Sequence, residues 1–239
     1  MRIFILLIFF LLSLYADELT KIKVGVYNNP PKLYVDSQHK PSGFFIDLID
    51  HIAQKEQWKI TYVPCEWNEC LDMLQKGEID IMPDVAYSQE RAQQFRFNNE
   101  VVLSTWSTVY TQKTSPISSV LDLHGKKIAI LQGSIQQQQI QETFTLFAIT
   151  PTVILTQSFD ESFKMVQEGK ADAAIVNRYF GALNKDRFSI KESSILLNPA
   201  ALKFAFSPNT PDQTLIDAID KNLKELKANK SSIYYRLID

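Results

Sequence analysis

Apolar positions along this chain alternate between short continuous runs and stripes of helical period. Ile22 to Tyr27 and Ile60 to Val63 are runs of the strand kind, whereas Phe45, Leu48, Ile49 and Ile52 recur at helical spacing behind Gly43. Trp67, Leu71 and Leu74 make a second helical stripe, on a helix over Asn68 to Gln75. Ile79 to Val85 is mostly apolar with Asp80 and Asp84 toward its ends, which predicts a strand covered on both faces. The resulting β-α-β-α-β order predicts a parallel sheet with right-handed crossovers. Val101 to Thr111 is longer, extended, and rich in β-branched and aromatic residues, so it reads as the connection leaving the first domain.

The same units begin again after Leu123-His-Gly-Lys-Lys. Ile128 to Leu131 predicts a strand that ends in Gln132-Gly133-Ser134 before a helical segment. Ser158 and Glu161 form a capping box, Phe159, Phe163 and Val166 an apolar stripe, and Gly169 a stop. Ala171 to Val176 predicts a buried strand ending at Asn177. Asn198 to Ser207 is extended again, and Pro211 opens a final helix with Leu215, Ile219, Leu223 and Leu226 inward. Lys221, Lys224 and Lys227 complement the C-terminal end of that helix dipole. The glutamine run Gln136 to Gln139 reads as a solvated helix face.

The ends and the composition set the compartment. Met1-Arg2, the apolar run Ile3 to Leu12, and Tyr15-Ala16 predict a signal peptide over 1–16, cut after Ala16. The run is short of the about 20 residues that span a bilayer. The exported chain is therefore expected to be soluble and periplasmic. With 25 basic and 27 acidic side chains, a formal net charge of −2 and no basic cluster, nucleic acid and anionic membrane surfaces are not expected partners. Cys65 and Cys70 are the two cysteines of the chain; they either stay thiols or form a bridge that contributes on the order of 2 kcal/mol. His39, His51 and His124 show no ligand spacing with them, so no metal is expected, nor any cofactor.

Candidate chemistry concentrates where the strand Ile79 to Val85 meets Ser88-Gln-Glu-Arg91. Ser88 is a plausible N-cap, and backbone N–H groups, a positive dipole end and the Arg91 fork would meet at the carboxyl edge of a sheet, where such folds place ligands. A guanidinium grips a carboxylate through two parallel hydrogen bonds. The competing reading pairs Arg91 with Glu90, Glu100 or solvent on a helix surface.

Five motifs in order carry a resemblance. They are Pro31 with Pro41-Ser-Gly-Phe-Phe-Ile-Asp-Leu, Leu74-Gln-Lys-Gly-Glu-Ile-Asp, Ser88-Gln-Glu-Arg-Ala-Gln-Gln-Phe-Arg-Phe, Leu121-Asp-Leu-His-Gly-Lys-Lys-Ile-Ala-Ile-Leu-Gln-Gly-Ser, and Gly169-Lys-Ala-Asp-Ala-Ala-Ile-Val-Asn. From Ile22 to Leu237 the chain resembles the family 3 extracellular solute-binding proteins, which have the type II periplasmic binding protein fold. The resemblance implies an α/β fold of two lobes, each a mostly parallel sheet flanked by helices, joined by two hinge strands. Residues 17–105 and 203–239 would form the first lobe and 106–202 the second, with Val101 to Thr111 and Asn198 to Phe206 as the hinges. The lobes would close on a small-molecule solute.

By motif, the resemblance makes Arg91 the anchor of a ligand carboxylate, Trp67 the aromatic that stacks on the ligand, and Ser134 with Gly133 the second-lobe half of the clamp. Ala86 and Tyr27 join the cleft contacts. Two bland readings stay open: Trp67 as a core aromatic beside Leu71 and Leu74, and Tyr27-Asn28-Asn29 as the edge of a plain turn. Many members carry an aspartate for the ligand's ammonium where this chain has Asn177, and some a lysine where it has Leu131 or Gln132. Asp84 replaces a small residue, and either supplies the missing negative charge or pairs with Arg91. The expected ligand is thus a small carboxylated or otherwise polar solute rather than a standard α-amino acid.

Met82-Pro83-Asp84-Val85-Ala86, Trp106 as a hinge packing residue, and Asn177-Arg178-Tyr179-Phe180, with Arg178 either a surface charge or part of this motif, resemble the input domains of membrane histidine kinases and diguanylate cyclases. The chain stops at Asp239, so a free-standing monomeric binder and a detached input domain are both open, with a membrane permease or a membrane sensor as the matching partner. An enzyme is not expected. The alternative is an exported dehydratase on the same fold, with Asp84 or Glu66 as general acid or base.

Overall fold

The computed structural model describes residues 19–197, 199–209 and 213–238. The leader expected over 1–16, Asn198 and Pro211 lie outside the described residues. The first stretch of chain supplies β1 (Thr20–Val26), the short strands β2 (Tyr34–Val35) and β3 (Pro41–Ser42), α1 (Phe44–Glu56), β4 (Trp58–Pro64), α2 (Trp67–Lys76), β5 (Ile81–Ala86), the single turn α3 (Gln89–Ala92), β6 (Arg96–Phe97) and β7 (Leu103–Thr105). The middle supplies β8 (Ser107–Gln112), β9 (Lys127–Leu131), α4 (Ile135–Leu146), β10 (Thr152–Thr156), α5 (Phe159–Gln167), β11 (Ala173–Asn177), α6 (Arg178–Asn184) and β12 (Ile190–Leu196). β13 (Ala200–Phe206), α7 (Gln213–Ala228) and α8 (Ile233–Ile238) follow.

These strands make two α/β lobes. One sheet has the order β4-β1-β5-β13-β6 with β7 also on β13, and the other the order β10-β9-β11-β8-β12. β4, β1 and β5 run parallel, as do β10, β9 and β11, because helices cross over between them. β13 and β8 are antiparallel to their neighbours, since each enters its sheet from the opposite lobe. The extended stretch expected over Val101 to Thr111 is broken at Trp106: β7 belongs to the first sheet and β8 to the second. The return falls between Leu196 and Ala200, a few residues before the 203 expected, because Ala200 already pairs with Thr105.

The helices bury the faces their patterns predict. Phe45, Leu48, Ile49 and Ile52 of α1 are inaccessible against the first sheet, and Phe159, Phe163 and Val166 of α5 are buried against the second. Ser158 caps α5 by accepting from Glu161 N–H at 3.1 Å, and Gly169 takes up the left-handed φ of 71° that ends it. Asp220 of α7 accepts backbone N–H bonds from Asn99 and Glu100, tying that helix to the bend between β6 and β7. Among the described residues no helix is long and apolar enough to cross a membrane.

β5 departs from a plain strand where function is concerned. Lys203 stands opposite Val85 and Ala205 opposite Met82, so Pro83 and Asp84 together face Phe204. Pro83 cannot donate to the ladder, and Asp84 adopts φ 60°, a conformation that costs a non-glycine residue on the order of 1 kcal/mol. Such a bulge turns a side chain out of the alternation of the strand.

Candidate functional site

The bulge delivers Asp84 into the seam between the lobes, where three donors occupy its carboxylate. Lys32 Nζ donates to Oδ1 at 2.6 Å, while Asn29 Nδ2 at 2.7 Å and the Tyr27 hydroxyl at 2.8 Å donate to Oδ2. Burial pushes the Lys32 ammonium down and the Asp84 carboxyl up, and each restores part of the other's charge. Burial and the neighbouring Asp84 together push the Tyr27 phenol well above its ordinary value. The lysine is held from behind by α1. Phe45 N–H donates to Lys32 O at 2.9 Å, and a Cβ on Gly43 would come within 2.8 Å of the Pro31 and Lys32 backbone.

Arg91 stands on the same wall. Ser88 accepts from Arg91 N–H at 3.2 Å, so the predicted N-cap forms, although α3 is one turn long and brings little dipole. The guanidinium is aimed sideways: Nη1 donates to Ala86 O at 2.8 Å, and Nη2 crosses to the second lobe to donate to Gly133 O at 2.9 Å. No described carboxylate forms an ion pair with it; Glu90, offered as a partner by the bland reading, acts on it only through space. Burial pushes its pKa down to about 10, which leaves it cationic at neutral pH.

Trp67 sits 5% exposed beside this cation, with the guanidinium carbon 5.3 Å from its ring and Tyr27 edge-on at 4.9 Å. Its indole Nε1 is buried without a hydrogen-bond partner. The indole is thus both core aromatic and cleft wall. It lies among the four residues, Glu66 to Glu69, enclosed by the Cys65–Cys70 disulfide, which is formed.

The second lobe contributes Gly133, Ser134 and Asn177. Gly133 adopts φ 70°, and a Cβ there would stand 2.7 Å from Asn68 Oδ1 and 3.6 Å from Trp67 Nε1, so the glycine permits the close approach. Its N–H donates to Gln137 Oε1 at 2.8 Å, while Ser134 Oγ accepts from Gln137 N–H at 3.3 Å as the N-cap of α4. The Gly133 N–H is therefore satisfied by its own helix, and the Gly133 carbonyl faces Arg91. Asn177 caps α6 through Oδ1, accepting from Phe180 N–H at 3.0 Å, and donates through Nδ2 to Asn29 Oδ1 at 3.0 Å across the seam.

Seven of the eight residues expected at the site, Tyr27, Trp67, Asp84, Ala86, Arg91, Ser134 and Asn177, line one small cavity of about 30 Å³. Gly133 lies at its mouth, in an outer groove of about 740 Å³ between α2 and α4 that Arg91 and Ser134 also line. Two expectations are corrected. Asp84 neither pairs with Arg91 nor offers a free negative charge, because Lys32 neutralises it. The glutamine run is not one solvated face: Gln136 is buried and bonds Ser107 Oγ at 3.0 Å, Gln139 is buried, and Gln137 and Gln138 look onto the groove. Lys32 has no ligand-site signal in the sequence, because Asn-Asn-Pro-Pro-Lys reads as a turn, which is where it lies, and Asn29 enters the sequence reading only as the edge of that turn. Trp106 and Arg178 meet at the crossing, with the Arg178 guanidinium carbon 3.9 Å from the Trp106 ring. Among the described residues no cluster of three metal-ligating side chains occurs.

Two α/β lobes, crossed twice by the chain and meeting over a half-buried arginine, define a two-lobed binding protein of the type II periplasmic kind. The profile of the bacterial extracellular solute-binding proteins, family 3, matches residues 22–234, and the chain belongs to that family. It is 28% identical over 198 residues to the lysine/arginine/ornithine-binding periplasmic protein of Escherichia coli (strain K12), covering 82% of this chain and 71% of that one. An ancestral arginine-binding protein bound to glutamine superposes with a TM-score of 0.81 at 23% identity, over 91% of this chain and 96% of the other. A histidine kinase sensor domain with similarity to periplasmic binding proteins gives 0.80 at 19% identity, over 92% and 94%.

Proposed function

We propose that this protein captures a small, carboxylate-bearing solute between its two lobes in the periplasm, for uptake or signalling. The observation that carries the reading is Arg91: a half-buried cation on the cavity wall, unpaired by any described carboxylate, whose fork spans from Ala86 O in one lobe to Gly133 O in the other. A carbonyl satisfies a guanidinium less well than a carboxylate does, so an incoming carboxylate is favoured at either position. The about 30 Å³ cavity holds one or two waters, so a solute of amino acid size enters only when the lobes part. Capture by groups on both lobes then couples binding to closure. Asp84 and Glu66, the carboxylates offered for catalysis, are engaged: Asp84 by Lys32, and Glu66 as the exposed capping-box residue of α2. That supports binding over turnover.

The test is a thermal-shift screen of wild type and Arg91→Ala against small carboxylates. Wild type is expected to gain several degrees with at least one of them, and Arg91→Ala to gain none with the same compound. An undiminished shift in the variant would show that Arg91 is not the anchor.

A further inference from the structure

The cleft holds a second charged group that the carboxylate clamp does not use. Asp84 is 2% exposed, lines the cavity, and is aimed there by the bulge at Pro83. A carboxylate so placed in a binding cavity would normally recruit a cationic part of the ligand, because a buried charge without a counter-ion is costly. Here the counter-ion comes from the chain. Lys32, itself 3% exposed, reaches in from the loop after Pro31 and takes Oδ1, while Tyr27 and Asn29 fill Oδ2.

We propose that Lys32 is a specificity-determining residue: its ammonium occupies the place of a ligand's cationic group on Asp84, so the cleft takes small anionic or neutral solutes and refuses those with a basic side chain. This rests on the reading of Arg91 as the carboxylate anchor. Charge and space both favour it. Lys32 and Asp84 cancel, leaving Arg91 as the uncompensated charge on the cavity wall, so a third cation would meet net repulsion. The lysine stem also fills room that a long ligand side chain would need. Its backbone is fixed by the first turn of α1 through Phe45 N–H on Lys32 O, so the ammonium is presented by a rigid element rather than by a loose loop. A merely structural ion pair would stabilise the fold without setting which solutes bind, and the two roles separate experimentally.

The probes are L-arginine and its neutral near-isostere L-citrulline, titrated calorimetrically into wild type, Lys32→Ala and Lys32→Ala/Asp84→Asn. Lys32→Ala is expected to bind L-arginine at least tenfold more tightly than wild type does, with L-citrulline changing less than threefold, and the double variant is expected to lose that gain. Wild type binding L-arginine as tightly as Lys32→Ala, or a folded Lys32→Ala with no gain, would overturn the proposal. If Lys32→Ala does not fold, Lys32→Gln keeps a donor on Asp84 and carries the same expectation at about threefold; no gain there overturns it equally. Adding Arg91→Ala to Lys32→Ala separates the two claims. L-arginine binding that survives this change retains the role of Lys32 and removes Arg91 as anchor, whereas loss of binding supports both.

Discussion

Arg91 needs its fork as well as its charge. Its two terminal nitrogens reach carbonyls in different lobes, a span that a point charge cannot reproduce. Arg91→Lys is therefore expected to keep the fold while lowering affinity for the captured solute at least tenfold, measured by calorimetry; retained affinity would reduce the site to simple charge attraction. Asn177 also works twice, capping α6 and bonding Asn29. Asn177→Ala should cost about 1 kcal/mol of stability from the cap alone in urea unfolding. Arg91 was legible in the sequence because it lies in a local motif, Trp67 because it opens a helical stripe, and Tyr27 because it ends an apolar run. The partner of Asp84 was not, since Lys32 lies 52 residues away and only the packing of β5 beside β1 brings it near.

At the scale of elements, periodicity located α1, α2 and α5 and the central strands, whose buried faces are strongly patterned. β10 and β12 escaped it, because Thr152–Thr156 and Ile190–Leu196 are edge strands of the second sheet with several exposed positions and no clean apolar run. The disulfide ties β4 to α2 and encloses Trp67. Replacing Cys65 and Cys70 together by serine should lower stability by roughly 2 kcal/mol and loosen the indole, read as a weaker near-ultraviolet dichroism signal. α7 is held by Asp220. Burial opposes its charge, but the Glu100 and Asn99 N–H groups and the Asn98 and Asn99 amides overrule that and hold the carboxyl below the usual range. A carboxyl depressed in the fold contributes stability above its unfolded value near 3.9, and that contribution disappears as pH falls through the lower folded value. Asp220→Asn should thus cost about 2 kcal/mol at pH 7 and progressively less below about pH 4, measured by urea unfolding across pH.

The whole molecule couples these parts through two crossings. At one of them Trp106 carries the Arg178 guanidinium on its ring while accepting from Arg178 N–H at 3.0 Å, so the start of α6 is fixed to the strand that links the lobes. The seam is closed by direct bonds from Arg91 of α3 to Gly133 and from Asn177, at the end of β11, to Asn29. The two-lobed architecture could be read from the order of motifs, whereas the charge state of the cleft could not, because it depends on which buried ions meet. The most direct test of the central claim is native mass spectrometry of wild type and Arg91→Ala purified from the host compartment. The account predicts a small carboxylate-bearing solute retained by wild type and lost from the variant; a solute without an anionic group, or one held equally by both proteins, would contradict it.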